Sequence, residues 1–273
     1  MKNYDNHQII VSMSGGKDST AMCLNLLEKG YSPEDFTRVF VDTGWEDAST
    51  YEYLSYLEKK IGSITRLRAS IPIRDEDREK IEKVESILGF PSAMVRLIYK
   101  NKMFPSGARK WCTPLLKIEP LKEYFINLED DAINLVGIRR AESIRRASYT
   151  EWEYSEAFEC YTHRPLIDWS EKQVIDIHTR NQIEPNNLYL KGFSRVGCYP
   201  CIYTKKKEIS LLSQKRIEVI RILEKDIGNT YFKQADIDSM LEWSKTSRGG
   251  KQYQLFNLNP PSCEKWGLCD MGL

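Results

Sequence analysis

A chain of 273 residues, 41% hydrophobic and 11% aromatic, can bury roughly three quarters of its unfolded surface; this excludes disordered and fibrous classes and predicts one large domain or two unequal ones. The 40 Lys and Arg nearly cancel the 39 Asp and Glu, leaving +1, so no whole-molecule field draws a polyanion and any nucleic-acid surface must be local. No stretch approaches the ~18 uncharged apolar residues of a membrane span, and the amino-terminal apolar run is too short for a signal peptide, so a cytoplasmic location and no membrane partner are expected.

Gln8–Met13 (QIIVSM) reads as a buried strand, and Lys17–Lys29 as a helix with Ala21, Met22, Leu24 and Leu27 on its apolar positions and Gly30 at its end. Thr37–Asp42 predicts a second strand, Ala48–Lys60 a helix, Ser63–Arg68 a third strand and Ala132–Gly137 a further one. Between them, Asp77–Ile87 reads as a charged helix and Met94–Met103 as an apolar, basic stretch. Strands alternating with helices predict an α/β fold, a parallel sheet covered on both faces. Beyond about residue 165 the strand signal fades: Ser170 caps a helix over Glu171–Asn181, and helices follow over Lys206–Asp226 and Asp236–Lys245. The expected division is therefore a nucleotide-binding α/β domain over 1–165 and a helix-and-loop region over 166–273.

The first strand opens its helix through Ser14-Gly15-Gly16-Lys17-Asp18-Ser19-Thr20. Two glycines let backbone amides turn toward an anion, the helix N-terminus favours negative charge, and Lys17 with the hydroxyls of Ser14, Ser19 and Thr20 adds donors. The spacing is not that of a Walker A loop. Ser12 at the end of the strand joins this set, and so does Asp42, a carboxylate at the carboxyl end of the neighbouring strand, where open α/β sheets bind ligands and where it could hold Mg²⁺ or orient a nucleotide. Gly137-Ile138-Arg139-Arg140 through Arg145 and Arg146 starts at another strand end, and its guanidinium forks suit phosphate or sulfate; Arg139, Arg145 and Arg146 are the expected contacts. These arginines and Lys205-Lys206-Lys207 are also the local basic segments open to nucleic acid.

Seven cysteines in such a compartment point to metal, cluster or redox chemistry rather than disulfides. Cys198-Tyr199-Pro200-Cys201 places two thiols on one knuckle; Cys112, Cys263 and Cys269 are the other candidate ligands, while Cys23 reads as core and Cys160 suits either a buried structural thiol or a ligand. Both zinc and an iron–sulfur cluster accept four thiolates, and the isolation of Cys112 from the knuckle suits a cluster clamped between distant segments.

Ser-Gly-Gly-Lys-Asp-Ser resembles the loop of the PP-loop ATP pyrophosphatases, which have the adenine nucleotide α-hydrolase-like fold and cleave ATP between its α and β phosphates. The Val41-Asp42-Thr43-Gly44 run resembles sulfonucleotide reductases and ATP sulfurylase small subunits. With Lys110-Trp111-Cys112-Thr113, Gly137-Ile138-Arg139, Pro165-Leu166-Ile167-Asp168-Trp169, Arg195-Val196-Gly197-Cys198 and Gly267-Leu268-Cys269, nearly the whole chain is similar to the phosphoadenosine phosphosulfate reductase family, above all its DNA phosphorothioation-type and phage members. The resemblance implies ATP, Mg²⁺ and a 4Fe-4S cluster on Cys112, Cys198, Cys201 and Cys263 or Cys269, with zinc the less favoured occupant. It implies catalysis by Lys17, Asp18, Asp42 and Cys269, and partners in a cysteine desulfurase, DNA before tRNA, and other DNA-modification proteins. Two departures bear on the subclass: the loop is intact where true reductases have lost it, and the tail reads Trp266-Gly267-Leu268-Cys269-Asp270 where reductases carry Glu-Cys-Gly-Leu-His. The expected activity is thus adenylation of an acceptor oxygen, a DNA backbone phosphate, for sulfur incorporation. The alternatives are a sulfonucleotide reductase releasing sulfite, a tRNA thiolation enzyme, and a non-catalytic nucleotide-binding accessory protein.

Overall fold

The computed structural model describes Tyr4 and residues 6–246. Six strands, β1 (Gln8–Met13), β2 (Phe36–Val41), β3 (Ile64–Leu67), β4 (Ala132–Val136), β5 (Trp152–Ser155) and β6 (Cys160–His163), form one sheet in the order β3-β2-β1-β4-β6-β5. All neighbours are parallel except β5, which runs antiparallel to β6 at the edge. The helices are α1 (Lys17–Glu28), α2 (Ala48–Ile61), α3 (Arg78–Leu88), α4 (Ala93–Asn101), α5 (Glu119–Ile126), α6 (Ile144–Ala147), α7 (Glu171–Arg180), α8 (Asn187–Leu190), α9 (Lys206–Ile209), α10 (Gln214–Ile227) and α11 (Ile237–Lys245). Among the described residues no helix is long and apolar enough to cross a membrane.

The expected α/β class is what the structure contains, and its cause lies in β1. A central parallel strand is covered on both faces, so it reads as a continuous apolar run. Ile9, Val11 and Met13 pack with Leu24, Leu54, Leu57, Val174 and Ile177 on one face, while Ile10 packs with Val39, Leu121 and Phe125 on the other. Sequence order reverses at β1, with β2 on one side and β4 on the other, so the crevice above their carboxyl ends is the topological switch point.

Several boundaries differ from the sequence expectation. The single helix expected over Lys206–Asp226 is two: Leu212 turns into the core after α9, and Ser213 caps α10 by accepting from the Arg216 amide. The β5–β6 hairpin is additional to the expected strands: each has only four residues, too short a window for its alternation to stand out. The hydrophobic cores also do not divide at residue 165. Apolar residues of α3 and α4 (Ile81, Val84, Met94, Ile98) pack with Ile220, Leu223, Ile237 and Met240 of α10 and α11, whereas α7 lies on the sheet against α1. The helical core thus combines two separated stretches of chain.

Candidate functional site

Gly16 caps α1 in extended conformation and, having no side chain, makes no cap bond of its own to the helix amides. Gly15 sits at φ +70°, a conformation that glycine adopts without cost. The loop is held from within: Ser19 Oγ accepts from the Ser14 amide at 3.2 Å, and the Ser19 and Thr20 hydroxyls each donate to the Gly16 carbonyl at 3.1 Å. From outside, Asn186 donates to the Gly15 carbonyl at 3.2 Å, and the Tyr189 hydroxyl accepts from the Lys17 amide at 3.1 Å. The Lys17 ammonium lies 5.0 Å from the centre of the Tyr189 ring and 3.7 Å from Glu171.

Gly137 follows β4 and presses on the first turn of α1: a Cβ there would stand 2.8 Å from the Asp18 carbonyl carbon and oxygen. This contact brings Arg139 against Asp18, Nε to Oδ1 at 2.5 Å, with both side chains largely buried. Ser12 is spent on β4, donating to Asn134 at 2.9 Å. The other guanidinium groups expected in the crevice go elsewhere. Arg146 pairs with Glu142 one turn earlier on the same segment, Arg140 pairs with Asp168, and Arg145 is exposed to solvent. One arginine of this segment is therefore fixed at the loop by a buried ion pair, while Arg140 and Arg146 are engaged by carboxylates of their own.

Asp42 is buried, and both its oxygens are taken: Oδ1 accepts from the Gly44 amide and the Tyr51 hydroxyl at 2.8 Å each, and Oδ2 is clasped by Arg68. Asp18 is likewise neutralised by Arg139. Asp42 is fully bonded, and Asp18 faces two cations, Arg139 at Oδ1 and the Lys17 ammonium 3.8 Å from Oδ2, so these residues do not fit a protein-held Mg²⁺.

A second centre lies beside the first. The knuckle is docked on the loop after β2: Glu46 and Cys198 form an antiparallel bridge, the Tyr199 amide donates to the Trp45 carbonyl at 2.8 Å, and Trp45 Nε1 donates to the Pro200 carbonyl at 3.0 Å. Trp45 is fully buried, between the Arg216 guanidinium at 4.3 Å and the Tyr231 ring. The buried Glu46 carboxylate accepts from Thr43 Oγ1, the Trp45 amide and the Tyr51 hydroxyl. Burial pushes the Cys198 thiol up to about 11, against the opposing pull of Lys117, and burial also raises Cys112. The Lys117 ammonium is held above its ordinary range first by Cys198, then by Glu46, Cys201 and Cys112. One ammonium thus feels all three described thiols of the expected ligand set. The donor chemistry is that of a thiolate centre with a counter-cation, but among the described residues no three His, Cys, Asp or Glu side chains group closely enough to hold a metal ion. Cys263 and Cys269 lie outside the described residues.

The two centres touch. A Cβ on Gly16 would meet Val196 at 3.8 Å, so the segment entering the knuckle lies against the phosphate loop. Sequence reasoning gave no role to Asn186 and Tyr189, which stand in no motif, nor to Trp45, Glu46 and Lys117, which fall inside or beside the motifs that resemble the family.

Residues 8–204 match the family model described as phosphoadenosine phosphosulfate reductase domain. The chain is 30% identical to a 37.8 kDa protein of the gpa 5′ region of Escherichia phage 186, covering 90% of each chain. It is 27% identical over 161 residues to the adenosine 5′-phosphosulfate reductase of Neisseria meningitidis, 59% of each chain. Against one Methanocaldococcus jannaschii relative, 30% identical, it spans 38% of the longer protein. Among solved structures, phosphoadenylyl-sulfate reductase from Candida auris superimposes with a TM-score of 0.51 at 18% identity, over 71% of this chain and 82% of that one.

Proposed function

Because the chain belongs to the phosphoadenosine phosphosulfate reductase domain family, whose reductases are enzymes built on a nucleotide-binding fold, we propose that it is an ATP pyrophosphatase that adenylates an acceptor oxygen for sulfur incorporation, the acceptor being a DNA backbone phosphate. The observation that carries this reading is the complete Ser14–Thr20 loop leading into a helix whose N-cap is Gly16, with no cap side chain over the helix start.

The chain's residues supply position and charge. The backbone amides of Gly15, Asp18 and Ser19 and the Lys17 ammonium receive the polyphosphate, while the Gly16 and Lys17 amides are held by Ser14 Oγ and the Tyr189 hydroxyl. The acceptor oxygen attacks the α-phosphorus, the bond from that phosphorus to the bridging oxygen breaks, and pyrophosphate leaves with its charge offset by Lys17. The outer sulfur of a persulfide on a partner cysteine desulfurase then attacks the acceptor phosphorus, the bond from that phosphorus to the adenylated oxygen breaks and AMP leaves with it; an external thiol reduces the remaining S–S bond, leaving one sulfur on the acceptor and returning the partner's cysteine as a thiol. Arg139 positions rather than binds: its ion pair with Asp18 fixes the first turn of α1. Cys112, Cys198 and Cys201, with Cys263 or Cys269, are the thiols that would hold a 4Fe-4S cluster, whose chemistry is electron and sulfur handling.

Pyrophosphate and AMP formation from ATP, with DNA and a sulfur donor present, tests the proposal. Lys17→Ala is expected to lower the rate by about 10² or more while leaving the melting temperature close to the parent's. No pyrophosphate under any of these conditions overturns it. A second reading, sulfonucleotide reduction, is favoured by the adenosine 5′-phosphosulfate reductases among the relatives. Thiol-dependent sulfite release from adenosine 5′-phosphosulfate, with ATP inert, would establish that reading instead.

A further inference from the structure

Charge is distributed unevenly along this nearly neutral chain. Residues 86–118 and 185–207 contain none of the 39 acidic residues but eleven of the 40 basic ones, so the remainder of the chain is net acidic. The fold joins these two segments. The Lys110 ammonium lies 5.1 Å from the centre of the Tyr203 ring, and Gly107 packs against the Tyr203 hydroxyl. Ser194 donates from its amide and hydroxyl to the buried Glu208 of α9, at 2.8 and 2.6 Å, which ties the strand carrying Arg195 to the helix that follows Lys205. The exposed end of the first segment thus meets the second beside Tyr203, next to the cysteine knuckle, and Val196 of the second segment lies against the phosphate loop.

Not every cation in these segments is available. Arg96 and Lys102 pair with Glu85 and Asp77, and Lys206 is buried over the Trp243 ring at 3.9 Å. Arg109, Lys110, Arg195, Lys205 and Lys207 are exposed and have no ion-pair partner among the described residues. Tyr203 is 55% exposed beside them. Unpaired cations held close together cost self-repulsion, which a polyanion relieves by giving up its counterions. An exposed aromatic ring among them adds a stacking surface for a base, which a carboxylate-rich protein partner would not use.

We propose that this face, formed by Arg109, Lys110, Arg195, Lys205 and Lys207 around Tyr203, binds a nucleic-acid strand along its phosphodiester backbone and leads it past the knuckle to the phosphate loop. The inference deepens the proposed function and rests on it for the chemistry at the loop, but the surface itself follows from charge and exposure. It places the acceptor within reach of the residues that would activate and sulfurate it.

The test uses the full chain, prepared anaerobically, and a fluorescent single-stranded DNA 20-mer whose anisotropy is followed from 50 to 300 mM salt. Binding is expected to weaken linearly in log–log form, with a slope near ~0.7 per phosphate neutralised. Arg109→Gln/Lys110→Gln/Lys205→Gln should lower affinity about tenfold or more and flatten the slope by ~2. Tyr203→Ala should weaken binding about tenfold with the slope unchanged. The control Lys80→Gln/Lys83→Gln, exposed on α3, should change neither. No salt-dependent binding by the parent, or equal losses in the control, overturns the proposal. So does polyglutamate competing as well as DNA with no dependence on Tyr203, which would mark an acidic-protein surface. Calorimetry of ATP on the same samples separates the two levels: ATP bound and DNA ignored refutes this face alone, whereas no ATP binding refutes the underlying function.

Discussion

Arg139 is a buried cation with one buried anion for company. Its guanidinium meets Asp18 at 2.5 Å, and the Glu142 carboxylate accepts from its backbone amide at 3.1 Å. A buried pair contributes little over an apolar pair of the same size, but removing one partner strands the other charge. Asp18→Asn is therefore expected to cost ~3 kcal/mol of unfolding free energy in urea, well beyond the effect of an exposed carboxylate such as Asp176. Gly137 states the same dependence sterically. A methyl group 2.8 Å from the Asp18 backbone cannot be accommodated by a side-chain rotation, so Gly137→Ala must move α1 away from β4. ATP affinity, measured by calorimetry, should fall in that variant even where it remains folded; unchanged affinity would mean that the loop does not need this contact.

At the scale of the element, α7 carries a pH dependence to the loop. His178 is buried on α7, which packs against α1, and its Nδ1 is bonded to the Val174 carbonyl at 2.7 Å. Burial pushes its folded-state pKa down to about 4, with the nearby Lys17 charge acting in the same direction. Above ~6.5 the ring is neutral in both folded and unfolded chains and contributes no pH dependence. Between ~6.5 and 4 the unfolded chain takes up a proton that the folded one refuses, so stability falls with pH, by up to ~3 kcal/mol from this ring. Thermal melts of the parent from pH 7.5 to 4.5 should show that loss, and His178→Gln should flatten the curve over the same interval.

At the scale of the molecule, the sheet and the helical core meet at Trp45. Its ring belongs to the helical core although it follows a sheet strand, and its indole N–H reaches the knuckle. Trp45→Ala should cost ~3–5 kcal/mol through the cavity alone. It should also raise amide hydrogen exchange across Cys198–Ile202 more than across α3, because the knuckle loses a bond as well as packing. The same architecture connects chemistry to chemistry: Asn186 and Tyr189 of the α8 region hold the phosphate loop, and the chain between them and Cys198 is short.

The α/β class, the β1–loop–α1 unit and the family were legible because each is encoded within a few neighbouring residues. A buried parallel strand is an apolar run, a phosphate turn needs glycines at adjacent positions, and a thiol knuckle is a Cys-x-x-Cys. The candidate site was legible only in its named parts. Nothing local predicts that the Lys17 amide meets Tyr189, 172 residues away, or that Trp45 meets Pro200 at a separation of 155. Conversely, Arg145 and Arg146 have the residue type for the crevice and are not in it: Arg146 finds Glu142 at helical spacing first, and Arg145 stays in water. Local propensity and turn chemistry are properties of short sequence windows, so the chain by itself determined the scaffold and the chemistry-bearing residue types. Which of those residues share a site, which cations are neutralised and which stay free on one face depend on packing between distant segments, and only the tertiary structure decided that.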